Sequence, residues 1–96
     1  MPEEKPRDSS ELFEEILGKV IKITSRELNV EKEKIRLDSR FKKDFNADSL
    51  DLINLVMYLE DEYKLAGMPN KDMKKIETVG HLTHYIFSAR YHHNIY

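Results

Sequence analysis

Ser49 is the side chain in this sequence with the widest choice of chemistry. It stands in the run Phe45-Asn46-Ala47-Asp48-Ser49-Leu50-Asp51. A serine hydroxyl can attack a substrate, cap a helix, or carry a covalently attached group. The first role finds no support: the Gly-x-Ser-x-Gly elbow of a hydrolase is missing, and nothing places a histidine beside Ser49. The second fits, because Asp48 and Ser49 are both helix-capping types and Asp51 falls in the first turn beyond them. A capping serine is also exposed, so capping and attachment are compatible. The histidines are the other chemical candidates. His81 and His84 are three residues apart and His92 and His93 are adjacent, yet no cysteine or carboxylate completes a tetrad, so no metal site is expected.

The elements that must position Ser49 are helical. Ser9 or Ser10 can cap a first helix, in which Leu12, Phe13, Ile16, Leu17, Val20 and Ile21 recur at helical spacing. It should end near Leu28-Asn29, since Asn tolerates the left-handed conformation of a helix end. Val30 to Asn46 reads as a long loop whose apolar residues follow no single period, and a loop of that length hints at function. A second helix starts at Asp48 or Ser49. It carries two apolar stripes: Leu52, Leu55, Val56, Leu59 and Tyr63 on one side, Leu50, Ile53 and Met57 on another. A surface helix needs one apolar face, so the second stripe is left for a partner. Gly67 and Pro69 should end this helix. A short helical turn near Asn70 to Lys74 follows, and Thr78 caps a last helix along Val79, Leu82 and Ile86. The expected fold is all-α: a small bundle of three main helices plus one short one. Residues 1–8 are expected to be a flexible segment, 9–91 the folded domain, and 92–96 a loose tail.

Composition limits the function classes. The chain has 96 residues, 40% hydrophobic and 35% charged, which suits one small domain with little room for an enclosed catalytic cleft. The formal net charge of −2 gives no reason to expect nucleic-acid binding. No apolar run approaches the roughly 18 residues of a membrane span, and the N-terminus lacks the apolar stretch of a secretory signal. There is no cysteine, so no disulfide. Charge is unevenly spread: residues 48–63 hold Asp48, Asp51, Glu60, Asp61 and Glu62 with no Lys or Arg, and most lysines flank them. That negative strip is expected to serve as a docking face for a basic partner.

The order of these elements resembles the acyl carrier protein family. The resemblance runs from about residue 10 to residue 88 and rests on Phe41-x-x-Asp44-Phe45-Asn46-Ala47-Asp48-Ser49-Leu50-Asp51, on Leu55-Val56-Met57-x-Leu59-Glu60-Asp61-Glu62-Tyr63, on Pro69, and on Ile76-x-Thr78-Val79. It implies a carrier rather than an enzyme, with acyl groups held as thioesters on a covalent 4′-phosphopantetheine arm at Ser49. A phosphopantetheinyl transferase would load the arm, with Asp48 helping to hold its magnesium. Leu50, Asp51, Ile53, Met57, Glu60 and Asp61 would meet fatty acid synthesis enzymes bearing basic patches. Phe41, Leu55, Leu59, Tyr63, Met68, Met73 and Ile76 would line a channel for the acyl chain. The chain is expected to be a monomer without membrane insertion. Other roles in the same frame are an acylated subunit supporting mitochondrial respiratory or iron–sulfur assembly through small helical adaptors, and a stand-alone carrier for polyketide or peptide synthesis.

The sequence departs from the family in places. Asn46 stands where Gly is usual, but Asn tolerates positive φ better than most residues. Asn54 replaces a common Glu. Lys64-Leu65-Ala66-Gly67 replaces an acidic stretch. Arg40, Lys42 and Lys43 make the approach to Ser49 basic, which points toward mitochondrial-type carriers and the mitochondrial matrix, with cytoplasm or plastid as alternatives.

Overall fold

The computed structural model describes residues 9–67 and 70–91. Its elements run α1 (Ser9–Leu28), a 3-10 turn (Lys32–Lys34), α2 (Phe41–Phe45), α3 (Ser49–Tyr63), α4 (Asn70–Met73) and α5 (Val79–Tyr91). Three long helices therefore make the bundle, as expected, with two short ones rather than one beside them. The segments assigned to flexible termini, residues 1–8 and 92–96, lie outside the described residues, as do Met68 and Pro69.

α1 buries Ile16, Val20, Ile23 and Thr24, a stripe at helical spacing that faces the other two long helices. Phe13, Leu17 and Ile21 are half-buried at its edges. Asn29 closes it with φ 58°, the left-handed conformation its side chain tolerates. Ser9 and Ser10 are already helical, so neither is the cap, and the position before them is outside the described residues. From α3 come Leu52, Leu55, Val56 and Leu59, and from α5 come Val79, Leu82 and Ile86. Phe41 and Ile76, both buried, cap this core at the Ser49 end.

The stretch Val30 to Asn46 is less of a loop than its lack of period suggested. Phe41 and Phe45 are one turn apart, their rings meeting edge-on at 6.5 Å, and that single repeat is too short to register as periodicity. The backbone NH of Arg40 donates to Asp44 Oδ2 at 2.7 Å, which fixes the start of α2. Asn46, with φ 56° and ψ 34°, ends it. The preceding residues are stitched to the start of α5. Phe41 NH donates to the Glu77 carbonyl (3.1 Å), Val79 NH to Ser39 (3.0 Å) and Gly80 NH to Leu37 (2.8 Å). A Cβ on Gly80 would stand 3.0 Å from the Leu37 carbonyl oxygen, so any larger residue there would press on this backbone contact.

The end of α3 also differs from expectation. Lys64, not Gly67, leaves the helix, at φ 55° and ψ 49°. Its NH reaches the Asp61 carbonyl, and Leu65 NH donates to the Glu60 carbonyl at 2.8 Å. This is the Schellman pattern, and half-buried Leu65 packs on the core behind it. Burial of Leu65 offsets the cost of a left-handed lysine, about 1 kcal/mol.

Candidate functional site

The junction of α2 and α3 is built around Ser49 by its neighbours. Asn46 turns the chain back, and Ala47 is buried and donates its NH to the Phe41 carbonyl at 3.0 Å. Asp48, in extended conformation, is the N-cap of α3. Asp51 NH donates to Asp48 Oδ1 (2.9 Å) and Asp48 NH donates to Asp51 Oδ2 (3.1 Å). This reciprocal box consumes two of the helix's orphan donors. Capping therefore falls to Asp48, and Ser49 occupies the first helical position. Its side chain is exposed, and its hydroxyl makes no hydrogen bond among the described residues. The NH groups of Ser49 and Leu50 have no acceptor within the helix, and they sit at the positive end of a 15-residue dipole. A free hydroxyl beside that end suits attachment of an anionic phosphodiester, so the residues present fit a phosphopantetheine group.

A cleft of about 300 Å³ opens beside Ser49. It is lined by Leu52, Ile53, Met73 and Ile76, together with Lys42 and Lys74. Of the seven residues expected to line an acyl channel, Met73 and Ile76 are here. Phe41, Leu55 and Leu59 have no exposed surface and belong to the packed core instead. Tyr63 does not belong: it lies 14 residues along α3, about 21 Å from Ser49 at 1.5 Å per residue. Its ring sits under Arg90 at 5.7 Å, and burial pushes its phenol above the usual range, with the Tyr91 phenol and Glu62 and Glu15 carboxylates adding to this and Arg90 opposing it. Met68 falls outside the described residues.

The outer face of α3 presents Leu50 (64% exposed), Met57 (58%), Tyr58 (48%) and Ile53 (37%). At 100° per residue these lie within one half of the helix, together with Asn54 and Asp61. Asp51 is half-buried at its edge, held in the capping box. Tyr58 was missing from the sequence expectation, although the same wheel places it on this face; Arg26 stands 5.7 Å over its ring. Glu60 is the correction in the other direction. It follows Val56 by four residues and so turns inward, is 9% exposed, and accepts a hydrogen bond from Tyr85 Oη at 3.1 Å. It contributes only to the floor of a depression formed with Asn54, Met57, Tyr58, Asp61 and Leu65. Burial, with this hydrogen bond and the Glu60 carboxylate charge adding to it, pushes the Tyr85 phenol up to about 12.

Elsewhere, His81 serves structure. Its Nδ1 accepts from the NH groups of Glu77 (3.0 Å) and Thr78 (3.2 Å), while its own NH donates to Thr78 Oγ1 (3.0 Å). Thr78 caps α5 as expected, with histidine completing the box. Among the described residues no cluster of His, Asp or Glu could hold a metal, and no helix is long and apolar enough to cross a membrane.

Comparison with known proteins agrees with this geometry. Residues 18–86 match the family described as PP-binding, phosphopantetheine attachment site. A protein of Lactobacillus johnsonii named acyl carrier protein is 40% identical over 75 residues, 78% of this chain and 92% of its own length. The solved acyl carrier protein of Enterococcus faecalis superposes with a TM-score of 0.68 at 39% identity, covering 80% of this chain and 96% of that one. That of Thermotoga maritima gives 0.69 at 27% identity, over 80% and 88%.

Proposed function

The chain belongs to the acyl carrier protein family, a non-enzymatic carrier whose cofactor is phosphopantetheine, and from that premise we propose that Ser49 bears the arm and that the loaded protein delivers acyl groups to the enzymes of fatty acid synthesis. The observation that carries the site assignment is the division of labour at the start of α3. Asp48 holds the cap, so the Ser49 hydroxyl is exposed and, among the described residues, unengaged.

Loading joins Ser49 Oγ to the phosphorus of coenzyme A that carries the pantetheine. The hydroxyl proton leaves to the transferase, the pyrophosphate P–O bond breaks, and adenosine 3′,5′-bisphosphate departs. Asp48 remains exposed, and a carboxylate has acceptor sites beyond the one used in the cap, which supports a share in holding the transferase's magnesium. When bound, the arm supplies a terminal thiol that carries acyl groups as thioesters. This chain's residues anchor it, present it at a helix end, and offer the cleft beside it. Leu50, Ile53, Met57 and Tyr58 form the apolar centre of the docking face, with Asp51 and Asp61 at its edge for Arg or Lys of a partner. Few apolar contacts ringed by charge favour fast and reversible docking, which a carrier visiting several enzymes needs.

Intact mass after incubation with coenzyme A, magnesium and a broad-specificity phosphopantetheinyl transferase tests the site. The wild-type chain should gain one phosphopantetheine and Ser49→Ala none. Gain in Ser49→Ala would move the attachment elsewhere. Malonyl transfer from malonyl-coenzyme A by a fatty acid synthesis transacylase tests the delivery role; loading only by an adenylating enzyme would assign the carrier to another pathway class.

A further inference from the structure

The cleft beside Ser49 combines apolar side chains with two lysines. Its lining is Leu52, Ile53, Met73 and Ile76, with Lys42 from α2 and Lys74 from the turn after α4. Both lysines are exposed, and neither makes an ion pair among the described residues. Their neighbours are differently placed. Arg40 lies 3.7 Å from Asp44, and Lys75 lies 3.9 Å from Asp72. The carboxylates closest to Ser49 in sequence, Asp48 and Asp51, are turned to backbone NH groups in the capping box. Two uncommitted ammonium groups thus share a cleft with the one residue to which an anion is to be attached.

Resting on the assignment of Ser49 as the attachment site, we propose that Lys42 and Lys74 are positioning residues for the arm: they bind its phosphodiester and draw the arm across the mouth of the cleft, so that an acyl cargo enters between Leu52, Ile53, Met73 and Ile76. The phosphodiester is fixed at Ser49 and cannot diffuse away, so each ammonium meets it at high effective concentration. The interaction is exposed, hence modest and salt-sensitive. It acts on the cargo by biasing the arm toward the cleft. Lys43 is a built-in control: it is exposed on the same short helix but does not line the cleft.

The test uses the full chain as wild type, Lys42→Gln, Lys74→Gln, the double variant and Lys43→Gln. Each is loaded to completion with excess transferase and checked by intact mass. Failure of the wild type to load sinks the carrier reading itself, whereas this proposal is decided on loaded protein. Two readouts follow on the decanoyl form: the phosphorus-31 resonance of the phosphodiester across a salt series, and the rate of thioester cleavage by hydroxylamine. The double variant should be cleaved about three- to fivefold faster than wild type, as loss of two exposed ion pairs implies. Its phosphorus resonance should lose the salt response seen in the wild type. Added salt should bring the wild type toward the double variant. Equal cleavage rates and equal salt responses in wild type and double variant overturn the proposal. So does a Lys43→Gln effect as large as either cleft lysine's, because that would assign the effect to net charge alone.

Discussion

Replacing Tyr85 by Phe isolates one interaction that ties α3 to α5. The ring stays, so packing is kept, and only the hydroxyl that donates to Glu60 at 3.1 Å is lost. Glu60 is 9% exposed, so water cannot fully replace the lost donor. A hydrogen bond to a charged acceptor is worth about 1.5–3 kcal/mol. Tyr85 is half-buried, which favours the lower part of that range, about 1.5–2 kcal/mol. For a domain of this size that corresponds to a fall of about 6–16 °C in Tm. Thermal and urea unfolding followed by far-ultraviolet circular dichroism would measure it. The pH dependence gives a second signature. The Tyr85 phenol is raised from 10.0 to about 12 on folding, so the folded state holds its proton where the unfolded chain has released it. Its stabilisation is fully present below pH 10 and is lost as pH rises toward 12. The stability gap between wild type and Tyr85→Phe should therefore narrow over that interval. A variant within about 0.5 kcal/mol of wild type at neutral pH, or a gap that stays constant to pH 12, would refute the account of Glu60 as an inward, structural carboxylate.

Asp51→Ala should cost about 1 kcal/mol in urea unfolding by removing one arm of the capping box, and should leave Ser49 chemically accessible to loading. Asp61→Asn should lower the association rate with a basic partner enzyme in stopped-flow measurements while changing stability by less than about 0.5 kcal/mol, the reverse of the pattern for Glu60→Gln. Thr24→Val should stabilise the chain by about 1 kcal/mol, because the Thr24 hydroxyl is buried with no hydrogen-bond partner among the described residues and valine keeps its shape. His81→Ala should cost about 1 kcal/mol and His81→Glu less, because glutamate restores an acceptor for the Thr78 NH at the start of α5; unfolding midpoints would order the three chains.

The three long helices were legible because each repeats an apolar residue several times at the helical period. The two faces of α3 were legible for the same reason: Leu52, Leu55, Val56 and Leu59 fall on one side of the wheel, Leu50, Ile53 and Met57 on the other. Asn29 could be read as a left-handed helix stop from residue type, and Asn46 as tolerant of positive φ where the resembled family carries Gly; both adopt it. α2 was not legible, since five residues offer one repeat and no period. The Lys64 stop was hidden for a different reason. Its left-handed backbone is stabilised by where Leu65 packs, and packing is absent from local sequence.

Residue types and their spacing suffice for the helical class, the position of Ser49 at the head of an acidic helix, and the existence of a second apolar face. Each follows from residue types within one or two turns of one another. Tertiary packing was needed to show that Asp48 and not Ser49 caps, leaving the Ser49 hydroxyl unbonded among the described residues, that Glu60 turns to Tyr85 instead of outward, and that Lys42, Met73, Lys74 and Ile76 meet Ser49 around one cleft. Those outcomes depend on how α3 and α5 are rotated against each other and on loops brought together from distant parts of the chain. Helical periodicity fixes which residues share a face, and packing fixes what that face meets.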